Sequence, residues 1–271
     1  MSKETVYAIA SGKGGVGKTT ATVNLGTTLA QAGKRVAIVD VDLGMANLAG
    51  FVSLTPDSVT LHDVLADDAS VEEATYRLTE NIVAIPSGRS LEGYAETAPE
   101  RLREVVETLR ERFDYVLLDV GAGVNHETVL PLGLADAVVL VSTPEPAAVH
   151  DVTKTIELTE RAGGEVEGLV VNRARSADGV SYEEIADRLE VELLAAIPED
   201  PAVRESAFAG TPLVVHAPQC PASKAYRQLA VTLADLEAPT AGNDSGGRED
   251  ESTASHDEVS SAITEAESDS G

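Results

Sequence analysis

The sequence predicts a doubly wound α/β fold, a mainly parallel sheet with helices on both faces, and three observations lead there. Short Val- and Ile-rich runs alternate with longer stretches of helical period. Those runs are apolar almost throughout, as strands covered on both faces are. A glycine-rich turn links the first run to the first helical stretch, where such sheets hold phosphate. With 271 residues, 43% of them hydrophobic, the chain has material for one full core.

In chain order, the expected strands are Val6–Ala10, Arg35–Val39, Ile82–Ile85, Tyr115–Leu118, Ala137–Val141, Val166–Val171 and Leu193–Ile197. The expected helices cover Thr19–Gln31, Pro99–Arg112, Ala147–Arg161, Tyr182–Leu189 and Ala222–Leu236. Gly33 stands where the first helix should stop, and Gly163–Gly164 close another. No repeat of solenoid type is present.

Composition divides the chain after residue 238. Residues 1–238 carry the patterned segments, and residues 239–271 are almost entirely Ser, Glu, Asp, Gly, Ala and Thr. Such a segment buries too little apolar surface to offset the entropy of ordering it, so a disordered acidic tail is expected. The net charge is −26, from 20 basic and 46 acidic residues. Nine acidic residues and one Arg in the tail account for −8 of it, and the remaining −18 is spread over the body. A surface of that sign repels nucleic acid, and no direct nucleic-acid binding is expected. With Cys220 as the lone cysteine, an internal disulfide and a C-x-x-C metal site are both excluded. The start, MSKETVYAIA, lacks the pattern of a signal peptide, and no apolar run is long enough to span a bilayer. The expected location is the cytoplasm.

The segment Gly12-Lys13-Gly14-Gly15-Val16-Gly17-Lys18-Thr19 fits G-x-x-x-x-G-K-[ST] at every fixed position, between a strand and a helix. Glycines let the backbone curl so that successive N–H groups point at phosphate oxygens, and the following helix adds its positive end. Lys18 places a charge on the β- and γ-phosphates, the Thr19 hydroxyl is the expected Mg²⁺ ligand, and Thr20 extends the nucleotide-binding set. Asp40 and Asp42 stand at the end of the second strand, where a parallel sheet places its ligands. Asp42 also has a plainer role open to it, capping the helix that follows. Tyr115–Leu118 followed by Asp119 forms the Walker B pattern, whose carboxylate meets Mg²⁺ directly or through its water.

An ordinary phosphate loop has no need of Lys13. With it, the sequence resembles the deviant Walker A class, K-G-G-x-G-K-[ST], and within that class the MinD branch, over about the first 235 residues. The archaeal MinD-like group is the nearest match, through Ser11–Thr20, Asp42–Leu48, Val59–Leu65 and Ile197–Glu205. Gly44–Leu48 is also similar to the flagellar-number regulators, whereas the P-Q-G-N of ParA-type DNA partitioners is absent. The resemblance implies ATP and Mg²⁺ as ligands and an ATP-dependent homodimer. It implies that Lys13 reaches across the dimer to the partner's nucleotide, acting as an arginine finger does in trans. It implies that Asp42 orients the attacking water, that Asp40 supports the magnesium shell and that Asn47 belongs to the same switch. Lys13, Lys18 and Asp42 are then the catalytic set, and Thr19, Asp40 and Asp119 the metal set. Asn172, Arg173, Pro198 and Glu199 are implied to hold the adenine, and the missing N-K-x-D guanine motif favours ATP over GTP. One segment departs from the family pattern D-[ST]-P-A-G: here Val120 and Gly121 follow the aspartate. The lost hydroxyl and proline are expected to free this loop before nucleotide binds and to make hydrolysis slow or partner-dependent.

The implied function is an ATPase switch that positions division, motility or cell-shape machinery through a protein partner. Flagellar-number and chromosome-partitioning ATPases are the alternative. A metal-cluster carrier would need dimer-bridging cysteines, and a ligating metabolic enzyme would need a substrate pocket that the sequence does not reveal. His62, His126, His150 and His216 lack ligand spacing and read as surface or packing residues. MinD proteins usually end in a basic amphipathic helix; here Glu258–Glu267 offers just Val259 and Ile263 as sizeable apolar groups amid acidic charge. No membrane anchor of its own is therefore expected, and recruitment to the membrane or cell pole falls to a partner. With only six lysines, the acidic surface suits very high salt, where screening removes self-repulsion. The melting temperature is predicted to rise from low to molar salt; a flat or falling series by calorimetry would count against this.

Overall fold

The computed structural model describes residues 4–234 apart from 56–58, 124–125, 176–178 and 180; the acidic tail lies outside the described residues. Among these, eight strands form one sheet: β1 (Thr5–Ala10), β2 (Val36–Asp40), β3 (Tyr76–Arg77), β4 (Ile82–Ile85), β5 (Tyr115–Asp119), β6 (Ala137–Ser142), β7 (Val166–Ala174) and β8 (Leu193–Pro198). Their order is β3-β4-β2-β5-β1-β6-β7-β8. Every pairing is parallel except that of β3 with β4. β1 lies between β5 and β6, so the loop that leaves its carboxyl end opens beside the ends of β2 and β5.

The helices are α1 (Lys18–Gln31), α2 (Leu48–Phe51), α3 (Leu61–Leu65), α4 (Leu91–Glu96), α5 (Leu102–Arg110), α6 (His126–Leu134), α7 (Pro146–Arg161), α8 (Tyr182–Arg188), α9 (Pro201–Phe208), α10 (Leu213–His216) and α11 (Pro221–Ala234). Two apolar cores result. On one, Leu102, Val106 and Leu109 of α5 meet Val116 and Leu118 of β5; on the other, Leu25 and Leu29 of α1 and Leu229 of α11 meet Ile38 and Leu117. Alternate residues of β5 thus feed opposite cores, and this explains why its whole run is apolar.

Each expected strand is present, with one extension that matters. β2 and β5 run on to end on Asp40 and Asp119 themselves, which pair across the ladder. The expected helix from Pro99 begins as a single 3₁₀ turn, Pro99–Arg101, before α5. Several elements escape the sequence pattern. β3 has two residues, and α2, α3 and α10 have four or five, too few to display a period. α6 carries Pro131 and Gly133 inside it, residues that read as breakers. α9 announces itself through Asp200-Pro201, a capping carboxylate that accepts from Ala202 N–H at 3.0 Å and a proline in the first turn.

Leu117 is fully buried in the middle strand of the site-bearing half of the sheet. Leu117→Ala is predicted to cost about 2–5 kcal/mol, measured by urea unfolding, since the surrounding strands cannot collapse into the space.

Candidate functional site

α1 starts on Gly17, whose φ of 102° is left-handed, and no side chain caps the helix. No acidic residue occupies the first turn either, so the free N–H groups and the positive helix end face the loop. The loop is shaped by parts of the chain far away in sequence. A Cβ on Gly12 would stand 2.1 Å from the Asp151 carbonyl oxygen of α7, and one on Gly17 would stand 2.1 Å from Asn172 Nδ2. Asn172 donates to the Val16 carbonyl at 2.7 Å and accepts from Arg173 N–H at 2.9 Å. Arg173, left-handed at φ 55°, donates to the Gly15 carbonyl at 2.9 Å. The end of β7 therefore grips the phosphate loop from behind. The Asn172 amide thus bonds the loop through Nδ2 and its own strand end through Oδ1, while the residue also lines the cleft.

Opposite the loop stand the acids. Asp40 is 1% exposed, and its carboxylate accepts three backbone N–H groups, from Asp42 at 3.2 Å, Asn47 at 3.0 Å and Leu48 at 3.1 Å. It builds the turn that carries Asp42 and Asn47. Asp42 accepts from Met45 N–H at 2.9 Å, capping that turn and not a helix. Asp119, 3% exposed, accepts from the Thr22 hydroxyl at 3.2 Å and is also bonded by Thr19. Burial pushes the pKa of both Asp40 and Asp119 up from the usual carboxylate range, and the charge of Asp119 adds to the shift at Asp40. Lys18 is lowered, chiefly by burial, while Asp119, Asp42 and Asp40 work the other way. One ammonium thus faces three carboxylates.

These groups line a cavity of about 370 Å³ that holds Gly14, Gly15, Gly17, Lys18, Thr19, Thr20, Asp40, Asp42, Asp119 and Arg173 of the expected set. A second cavity, of about 360 Å³, brings in Asn172, Arg173, Pro198 and Glu199. Gly17, Thr20, Phe51 and Arg173 belong to both, so the two are lobes of one cleft, sized for a phosphate chain and a base. Phe51 had no signal in the sequence, because α2 is too short to be read and the side chain reaches the cleft only through the Asp40 turn. Gly12, Lys13 and Val16 do not line either lobe. Gly12 packs on α7, Val16 is buried in the core, and Lys13 is exposed beside Glu145 and Asp151. The Glu199 carboxylate pairs with Arg175, and its backbone N–H donates to the Ala174 carbonyl at 3.0 Å.

Among His62, His126, His150 and His216, His62 is buried at 4% exposure, with Nε2 3.0 Å from the Leu43 carbonyl, and His150 and His216 are exposed. The His126 side chain lies outside the described residues. No group of three or more His, Cys, Asp or Glu among the described residues is arranged to hold a metal by itself. A magnesium ion nevertheless fits: Thr19 and Asp119 offer oxygen, the acids leave uncompensated negative charge, and Mg²⁺ takes the rest of its shell from phosphate and water. Nor is any described helix long and apolar enough to cross a membrane.

An uncapped helix start behind a glycine loop, with acidic strand ends opposite, defines a P-loop nucleotide-binding protein. Comparison with known proteins narrows the class. Residues 7–213 match the family described as CbiA, the CobQ/CobB/MinD/ParA nucleotide binding domain, and the chain belongs to that family. It is 40% identical over 227 residues to an uncharacterised ATP-binding protein of Methanocaldococcus jannaschii, covering 83% of this chain and 86% of the relative. The cell division ATPase MinD of Pyrococcus furiosus superposes with a TM-score of 0.81 at 38% identity, over 86% of this chain and 99% of that one. The septum site-determining protein MinD of Pyrococcus horikoshii, solved with Mg-ADP, gives 0.80 at 36% identity, over 84% and 95%.

Asn172→Ala is predicted to cost about 1–3 kcal/mol of stability in chemical denaturation, because Val16 O and Arg173 N–H lose their buried partner. Parent-like stability would show that the β7 grip on the loop is not a real restraint.

Proposed function

We propose that this protein binds ATP with Mg²⁺, hydrolyses it slowly and uses the bound triphosphate to hold two copies together, so that dimer and monomer are the two states of a switch. One observation carries the reading: Lys18, Thr19, Asp42 and Asp119 share one lobe of the cleft, while Lys13 is exposed and does not line it. Lys18 and the N–H groups of the loop bind the β- and γ-phosphates, and Thr19 and Asp119 hold the metal and its water. When bound, Mg²⁺ neutralises charge that develops on the phosphates. Asp42, accepting from Met45 N–H, has a second oxygen with which to orient the attacking water. Lys13, exposed and outside both lobes, reaches a neighbouring copy's nucleotide in this reading, where a cation offsets the charge of the transferring phosphoryl group. Asp40 acts indirectly, by holding the Asp42–Asn47 turn.

The names of the Pyrococcus proteins support a biological role in placing the division machinery. The switch acts through an unidentified protein partner in the cytoplasm, which also supplies any recruitment to the membrane. The acidic surface argues against nucleic acid as that partner.

Light scattering with and without ATP tests the reading. The parent should double in mass with ATP, Asp42→Ala should stay dimeric for longer, and Lys13→Ala should remain monomeric with little turnover. If Lys13→Ala associates and hydrolyses like the parent, the switch has no physical basis.

A further inference from the structure

We propose that Phe51 is the specificity-determining residue of the base lobe, an aromatic wall against which the purine ring of the nucleotide lies. The inference deepens the ATP-binding reading and rests on it. Among the described residues Phe51 is the one aromatic residue that lines either lobe, and it lines both. It is half-buried, packed against the same apolar core as Val203 of α9, which also lines the base lobe. The charged side chains of this lobe have partners of their own. Arg173 donates to the Gly15 carbonyl, Glu199 pairs with Arg175, Asp200 caps α9 and Arg204 lies over the Phe208 ring at 5.5 Å. The apolar part of the lobe is made by Phe51, Pro198 and two residues four apart on one face of α9, Val203 and Ala207. A base presents a flat apolar face, and an aromatic ring is the side chain that matches it.

The chain fixes the position of Phe51 from both ends of α2. At the start, Asn47 N–H and Leu48 N–H donate to Asp40 at 3.0 and 3.1 Å. Past the end, Leu54 N–H donates to the Ala49 carbonyl at 2.9 Å, and the Ser53 hydroxyl donates to the Gly210 carbonyl, also at 2.9 Å. Ser53 and Gly210 are both left-handed, at φ 51° and 57°, and a Cβ on Gly210 would stand 2.1 Å from Ser53 Oγ. The two turns approach this closely because the second carries glycine. Gly210 lies just beyond α9, so α2 is strapped between the Asp40 turn on the metal side and α9 on the base side. A four-residue helix has no stability of its own to hold a side chain in place, and the two anchors supply it. A residue held in advance loses little freedom when a ligand lies against it. A purine offers more face than a pyrimidine, so ATP gains more from the wall than CTP does, and a bare phosphate chain gains nothing.

The test uses the full chain with Mg²⁺. Phe51→Leu keeps apolar bulk against the core and removes the flat ring. Calorimetry gives the affinities of parent and variant for ATP, CTP and inorganic tripolyphosphate. ATP affinity should fall about fivefold or more, CTP affinity by less, and tripolyphosphate affinity not at all. Equal losses for all three ligands would mean that the cleft has merely changed shape, and they overturn the proposal, as does parent-like ATP affinity. The chain has no tryptophan, so Phe51→Trp places a single reporter on the wall. Its emission should be quenched by ATP and left unchanged by tripolyphosphate. Emission that ignores bound ATP, or that tripolyphosphate quenches equally, also overturns the proposal. Should the parent itself bind no ATP, the nucleotide reading falls and the aromatic wall with it; should the parent bind ATP and Phe51→Leu bind it equally well, only the wall falls.

Discussion

The site depends on two carboxylates buried side by side. Asp40 and Asp119 end neighbouring strands in register, at 1% and 3% exposure, where burial makes each resist ionisation and a nearby carboxylate adds to it, Asp119 for Asp40 and Asp42 for Asp119. Each has its own compensation. Three backbone N–H groups turn in to Asp40, and the hydroxyls of Thr19 and Thr22, with the ammonium of Lys18, attend Asp119. The compensation of Asp40 has a structural product, the turn that presents Asp42, Met45 and Asn47 to the cleft. That of Asp119 is partial, which is why a divalent cation suits the place.

The second constraint is mechanical. A glycine loop is soft, and this one is stiffened by contacts from β7 and α7: the amide of Asn172, the guanidinium of Arg173 and the backbone of Asp151. Phosphate binding at the N-terminus of α1 is therefore tied to the half of the sheet that also forms the base lobe. Arg173 and Phe51, shared by both lobes, belong one to that half and the other to α2, which follows the Asp40 turn, so a bound nucleotide would touch both.

Much of this was legible beforehand. Continuous apolar runs marked the strands because burial on both faces leaves no polar alternation, and the spacing of Gly12, Gly17, Lys18 and Thr19 is local enough to be read from the string. Asp40 and Asp119 were visible as acids at strand ends, yet not as neighbours. The division of labour between them was hidden, since the donors that occupy Asp40 come from a turn with no periodic pattern. Phe51 was illegible for the same reason. Asn172 was noticed as a base contact, and nothing local tells that its amide also bonds the carbonyl of Val16, 156 residues away.

By itself, the sequence determined the class of fold and the phosphate loop, because the signals for both, continuous apolar runs and the spacing of the glycines and Lys18, are read within short stretches of chain. Tertiary structure decided what each acid and each glycine is for. Asp40 and Asp119 meet because two parallel strands end in register, and Gly12 is bare because α7 passes over it. Such contacts are set by strand pairing and helix packing, which join distant segments through space and leave no spacing in the string to be read.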